Sequence, residues 1–173
     1  MLKAMRRKLM TAHRPDLMAA LDGELKRSFQ AMRDERVIAH FSPSDDVEGT
    51  AWIPASIVAR HRHASPGTPL DDVARGMITE QGAEPFRGDM RVLRSVTESV
   101  KSDGESRAYL VNIRYFTPIP TMGKRVALEL TGSFLRPDDV PLDSPYGSQI
   151  TMLLDACVST LRWRAPKSGE SHG

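Results

Sequence analysis

The chain has 173 residues, of which 40% are hydrophobic and 27% charged, and carries a formal net charge of +2. That length suits one domain with a real core, and the composition excludes both a disordered polymer and a disulfide scaffold, since the single Cys157 has no partner within the chain. No stretch approaches the roughly 18 to 20 continuous apolar residues of a membrane span, and no apolar block follows the first basic residues as in a signal peptide, so the reading is a cytoplasmic protein.

The cations are unevenly spread. Residues 1–14 form a basic leader holding Lys3, Arg6, Arg7, Lys8 and Arg14 with no acid, which leaves the remainder at −3. A body of that sign argues against nucleic acid as a partner. With Leu2, Met5 and Leu9 among its cations, the leader has the make-up of a segment that touches an anionic membrane surface, or of a frayed terminus.

From residue 15, "PDLMAALDGELKRSFQAMRDE" places Leu17, Leu21, Leu25, Phe29 and Met32 at spacings of four, four, four and three. That period predicts an amphipathic helix over 15–35, weakened at Gly23. "RVIAHF" is a candidate short strand, and "FSPSDDVEG" is loop-like. In "TAWIPASIVARHRH", Ile57, Ala59 and His61 alternate with Val58, Arg60 and Arg62, so the run reads as a strand, with Pro54 marking its beginning or a sheet edge.

In "SPGTPLDDVARGM", Thr68 is the expected N-cap, Pro69 the first helical residue and Asp71 a complement to the helix dipole. The helix should run to about Gln81, with Leu70, Val73, Ala74, Met77 and Ile78 inward and Gly82 as its stop. Two alternating runs joined through Asp103-Gly104 predict a hairpin, with Tyr109, Val111, Ile113 and Tyr115 on one face and Asn112 and Arg114 on the other. "GKRVALELTGSFL" repeats the pattern, with Val126, Leu128, Leu130 and Phe134 inward and Glu129, Thr131 and Ser133 outward. Ser144-Pro145 repeats the cap-then-proline signal ahead of Ile150, Leu153, Leu154, Cys157, Val158 and Leu161, the most regular helical stripe in the chain. Residues 165–173 read as a disordered tail. The fold class is α+β, an antiparallel sheet with helices packed mainly on one face, in a single domain over 15–164 with 15–35 as an accessory helix.

A strand ending in "SPGTPLDDVARGM", a helix, an Asp-Gly hairpin, a further strand and a last helix reading "LLDACVSTLRW" together resemble the PsbP-like superfamily, which includes LpqN-type lipoproteins and chaperones of type VI secretion effectors. The resemblance spans roughly Trp52 to Trp163 and implies a PsbP-like sandwich. It also implies a protein that binds other macromolecules without a shared catalytic centre, so no catalytic residue is carried over. The leading helix lies outside the pattern, and the lipobox cysteine of the lipoproteins is missing.

Chemistry-bearing motifs are few. His61 and His63, two apart on a strand, face the same way as a pair of zinc ligands would, but they have no evident third ligand. Asp45-Asp46, Asp71-Asp72 and Asp138-Asp139 stand at turns and helix starts, where aspartate serves as a cap. No serine stands in a G-x-S-x-G elbow and no glycine run forms a phosphate loop. Cys157, on an apolar stripe, reads as core filler, and Trp52 and Trp163 as packing residues or partner anchors. The expectation is a non-enzymatic protein-binding module or secretion-type chaperone, without cofactor or metal, whose partner is another protein, such as a secretion substrate, or a second copy of the chain. Its candidate surfaces are Leu17, Leu21, Leu25 and Phe29 on the first helix and Asn112, Arg114 and Glu129 on the sheet. A helix-grip binder of a small ligand or lipid and a small enzyme with an unrecognised site are the alternatives.

Overall fold

A computed structural model describes the protein at residues 30, 33, 36–42, 55–65, 68–87, 89–102 and 107–164. The leader, the stripe Leu17, Leu21, Leu25 and Phe29, the Asp45-Asp46 pair, Trp52, the Asp103-Gly104 turn and the 165–173 tail lie outside the described residues. Gln30 and Arg33 are helical, and Arg36, at φ 56°, donates its amide to the Arg33 carbonyl at 3.0 Å, the left-handed geometry in which helices commonly end.

In chain order the elements are β1 (Val37–Phe41), β2 (Ala55–His63), α1 (Leu70–Gln81), β3 (Glu84–Phe86), β4 (Asp89–Ser102), β5 (Arg107–Pro118), a 3₁₀ turn (Pro120–Arg125), β6 (Val126–Pro137) and α2 (Pro145–Ser159). The six strands form one antiparallel sheet in the order β1-β2-β6-β5-β4-β3, so the protein is of mixed α+β class. The expected hairpin is β4 with β5, paired from Leu93↔Phe116 to Ser102↔Arg107. β3 and the 3₁₀ turn were not foreseen.

Alternation divides the strand residues between two faces. On one face Val111, Ile113 and Tyr115 of β5 join Leu128, Leu130 and Phe134 of β6 and Ala59 of β2 in the main core, which α2 covers with Ile150, Leu154 and Val158. Closest approach falls at Gly132, where an added Cβ would lie 3.0 Å from Leu154 Cδ1. On the other face Leu93, Phe116 and Ala127 form a smaller apolar bed for Leu70 and Met77 of α1. The two described helices therefore pack on opposite faces, which corrects the expectation of helices mainly on one. The apolar bed at the end of the second face takes the stripe of α1.

Three local expectations are also corrected. Ser65 and Thr68 pair through their backbones, so Pro69, not Thr68, is the N-cap of α1, and no side chain caps it. The stop at Gly82 holds, with φ 60° and its amide bonded to the Met77 carbonyl. Ile78 is exposed, because α1 covers only one end of the sheet and its buried line is Leu70 and Met77, flanked by Val73 and Ala74. Leu153 and Cys157 are exposed too. A helix on a flat sheet buries a row at spacing four, here Ile150, Leu154 and Val158 with Leu161 partly buried, and turns the flanking row to solvent. The start of α2 is as expected, since Pro145 opens it and the Ser144 hydroxyl accepts from the Gly147 amide.

Candidate functional site

Glu129, expected on an outward face, is 0% exposed. The pairing β2-β6-β5 explains why: Arg60 stands directly across β6 from Glu129, and Arg114 lies one step along β5 on the same face. Glu129 Oε1 accepts from Arg60 Nη2 at 2.7 Å and from Arg114 Nε and Nη2 at 3.2 and 3.0 Å. Its Oε2 is buried with no hydrogen-bond partner among the described residues. Arg114 Nη1 also donates to Gln81 Oε1 at 2.9 Å and so ties the last turn of α1 to the sheet. Beyond it, Ser133 Oγ donates to Asn112 Oδ1 at 2.8 Å. Asn112, Arg114 and Glu129 do share one face, as the alternation implied, but the two charged members hold each other instead of facing a solvated rim.

The opposite face carries a second polar group. Asp155 of α2 accepts from Arg94 Nε at 2.9 Å and from the Tyr115 hydroxyl at 2.5 Å, pinning the helix over β4 and β5. Burial, together with the bond to the Asp155 carboxylate, pushes the Tyr115 hydroxyl well above the ordinary phenol range, so it stays protonated. Farther along, Arg136 donates from Nε and Nη2 to Glu98 at 2.6 and 3.0 Å and lies over the Tyr109 ring at 4.0 Å. Its hydrogen bonds hold the Glu98 carboxyl below its usual range. These contacts are structural cross-links. Neither presents a nucleophile to an adjacent base, and no group of three His, Cys, Asp or Glu side chains is placed to hold a metal among the described residues.

Two cavities open at the margins of the sheet. One of about 450 Å³ lies beside β3 and β4 and includes Glu84, Phe86, Arg94, Ser95 and Asp155. The other, about 390 Å³, lies where β2 runs past the end of β1 and includes Arg36, Arg60, Arg62 and both histidines of the His61-Arg62-His63 motif. The first touches α2 at Asp155 alone, and the second includes no α2 residue among those described. Asp71 and Asp72 occupy the first turn of α1, and Asp138 and Asp139 a turn after β6, as expected of caps and turns. Trp163 is 45% exposed, and with Met152 at 64% and Leu153 at 40% it gives the outer side of α2 and the segment after it an apolar character. Sequence reasoning missed Arg60, Asp155 and Arg136; only Arg136 carried a signal, a charge on β6 in phase with the core residues Leu130 and Phe134.

No protein-family model matches the chain. No solved structure gives a significant match. The chain is similar to SaeA of Mycolicibacterium smegmatis (strain MKD8), a protein provisionally named for ESX-1 scaffolding and assembly, with 27% identity over 175 aligned residues. The match takes in 85% of this chain but 25% of that protein, so the chain spans about a quarter of the relative's length. No described helix is long and apolar enough to cross a membrane.

Proposed function

We propose that this chain is a non-enzymatic protein-binding module that serves as an adaptor or chaperone in the assembly of a secretion apparatus. The observation that carries the reading is the similarity to SaeA along 85% of the chain. Two features support it. Glu129 of the sheet is held by Arg60 and Arg114, and Arg94 of the sheet by Asp155 of α2, while the outer side of α2 with the segment after it offers Met152, Leu153 and Trp163 to solvent. Exposed large side chains of this kind form the centre of protein interfaces. The PsbP-like sandwich remains our proposal for the fold family, supported by the antiparallel sheet closed by a C-terminal helix.

The test is co-expression of the full chain with each component of the secretion apparatus encoded in the same genome, read by size-exclusion chromatography. A complex that survives the column, and that Met152→Glu with Leu153→Glu dissolves without changing the melting temperature, is the expected result. Migration as the free chain beside every component would refute the adaptor.

A further inference from the structure

The His61-Arg62-His63 motif at the end of β2 lines the cavity of about 390 Å³ together with Ser65 and Thr68, which follow it in the chain. Arg36 reaches it from the other side, placed by its left-handed backbone at the entry to β1. Among the described residues that line it are three arginines, two histidines, Ser65 and Thr68, and none of those described is an acid. Thr68, which does not cap α1, is one of the residues that line it.

Arg60 is engaged with Glu129, which it shares with Arg114, whereas Arg36 and Arg62 make no ion pair among the described residues and carry the pocket's positive charge. The unpaired charges of Arg36 and Arg62 at one concavity disfavour a divalent cation, which argues against a zinc role for His61 and His63, and attract an anion. Planar guanidinium forks match the oxygens of a phosphate, and serine and threonine hydroxyls can add single donors. The volume sits near the lower end of the roughly 300 to 1,000 Å³ of small-molecule sites, enough for a phosphate or pyrophosphate group and too small for an extended acidic peptide.

We propose that this pocket binds a phosphate group, carried by a soluble compound or by a lipid headgroup. The probes are sodium pyrophosphate, titrated calorimetrically into the full chain at low ionic strength, and phosphatidylglycerol vesicles, sedimented with it against phosphatidylcholine controls. The expected result is saturable pyrophosphate uptake that Arg62→Glu and Arg36→Glu each weaken at least about tenfold, the loss of one charge-assisted contact. Arg162→Glu, a substitution at an exposed residue beyond α2, should leave uptake unchanged. Melting temperatures equal to the parent's show that the variants are folded, and either pocket variant suffices if the other is not. Vesicle binding that Arg62→Glu abolishes assigns the headgroup; pyrophosphate uptake without it assigns a soluble phosphate compound. Absence of uptake, as from a pocket already neutralised by the chain's own acids, overturns the proposal. So does uptake that Arg162→Glu weakens equally, or vesicle binding indifferent to Arg62→Glu without pyrophosphate uptake, which belongs to the basic leader.

Discussion

Glu129 is the residue on which the α1 face depends, because its carboxylate is fully buried while its partners keep about a quarter of their side chains in solvent, 26% for Arg60 and 23% for Arg114. Breaking a fully buried pair costs roughly 3–5 kcal/mol; partners that can rehydrate reduce this, and we expect Glu129→Gln to cost about 2 kcal/mol, read as a lower urea midpoint at unchanged slope. A loss below about half a kcal/mol would mean that the arginines do not rely on the carboxylate. Glu98 supplies a pH dependence. Its folded pKa lies below the ordinary 4.5 because of the Arg136 hydrogen bonds, so its stabilisation is present above pH 4.5 and is lost as the pH falls through the depressed value. The melting temperatures of the parent and of Glu98→Gln should therefore converge below pH 4.5; a gap that stays constant down to pH 3 would refute the assignment. For Tyr115 the sign reverses: its raised pKa makes its contribution complete below the ordinary 10.0 and declining above it. In a 295 nm titration Tyr115 should stay un-ionised near pH 11 while the chain is folded, so Tyr115→Phe should leave the folded chain's absorbance change up to that pH as it is in the parent.

Among the elements, α2 sets the tightest demands. At Gly147 an added Cβ would overlap the Leu142 carbonyl oxygen, a backbone atom, whereas at Gly132 it would press on the tip of the Leu154 side chain, which can turn. Gly147→Ala should therefore lower the melting temperature more than Gly132→Ala, for which about 1 kcal/mol is expected. The reverse order would show that the first turn of α2 yields more easily than its seat on β6. The same helix shows what the sequence made legible. Its start was readable from Ser144-Pro145 and its period from Ile150 onward, since both are local. Which of Leu153 and Leu154 would be buried was not, because that depends on how the helix is seated on the sheet, where Leu154 lies against Gly132. Strand identity and alternation were likewise readable for β2, β5 and β6. The burial of Glu129 was hidden because its partner Arg60 lies 69 residues away, and only the placing of β6 between β2 and β5 brings them together. The edge strand β3, three residues long and containing Pro85, carries too short a pattern to detect.

At the scale of the whole molecule, the sheet is stitched from two unlike pieces. β4, β5 and β6 follow one another as a meander, while β2 reaches its place by pairing with β6 across the full length of both, from Ala55↔Phe134 to His63↔Val126. The consequence lies in time. Closing a long loop carries an entropic cost before its contacts compensate, so the meander should form first and β2 should dock late, with the Arg60 to Glu129 pair among the last contacts made. Ile113→Val in the meander should then slow refolding, while Ala59→Gly in β2 should leave refolding nearly unchanged and speed unfolding, as stopped-flow chevrons would show. Until β6 has been synthesised, β2 has no neighbour on that side, and its apolar row of Ile57 and Ala59 waits in water through the making of more than sixty further residues. During synthesis this protein is itself the kind of exposed strand that a chaperone would hold.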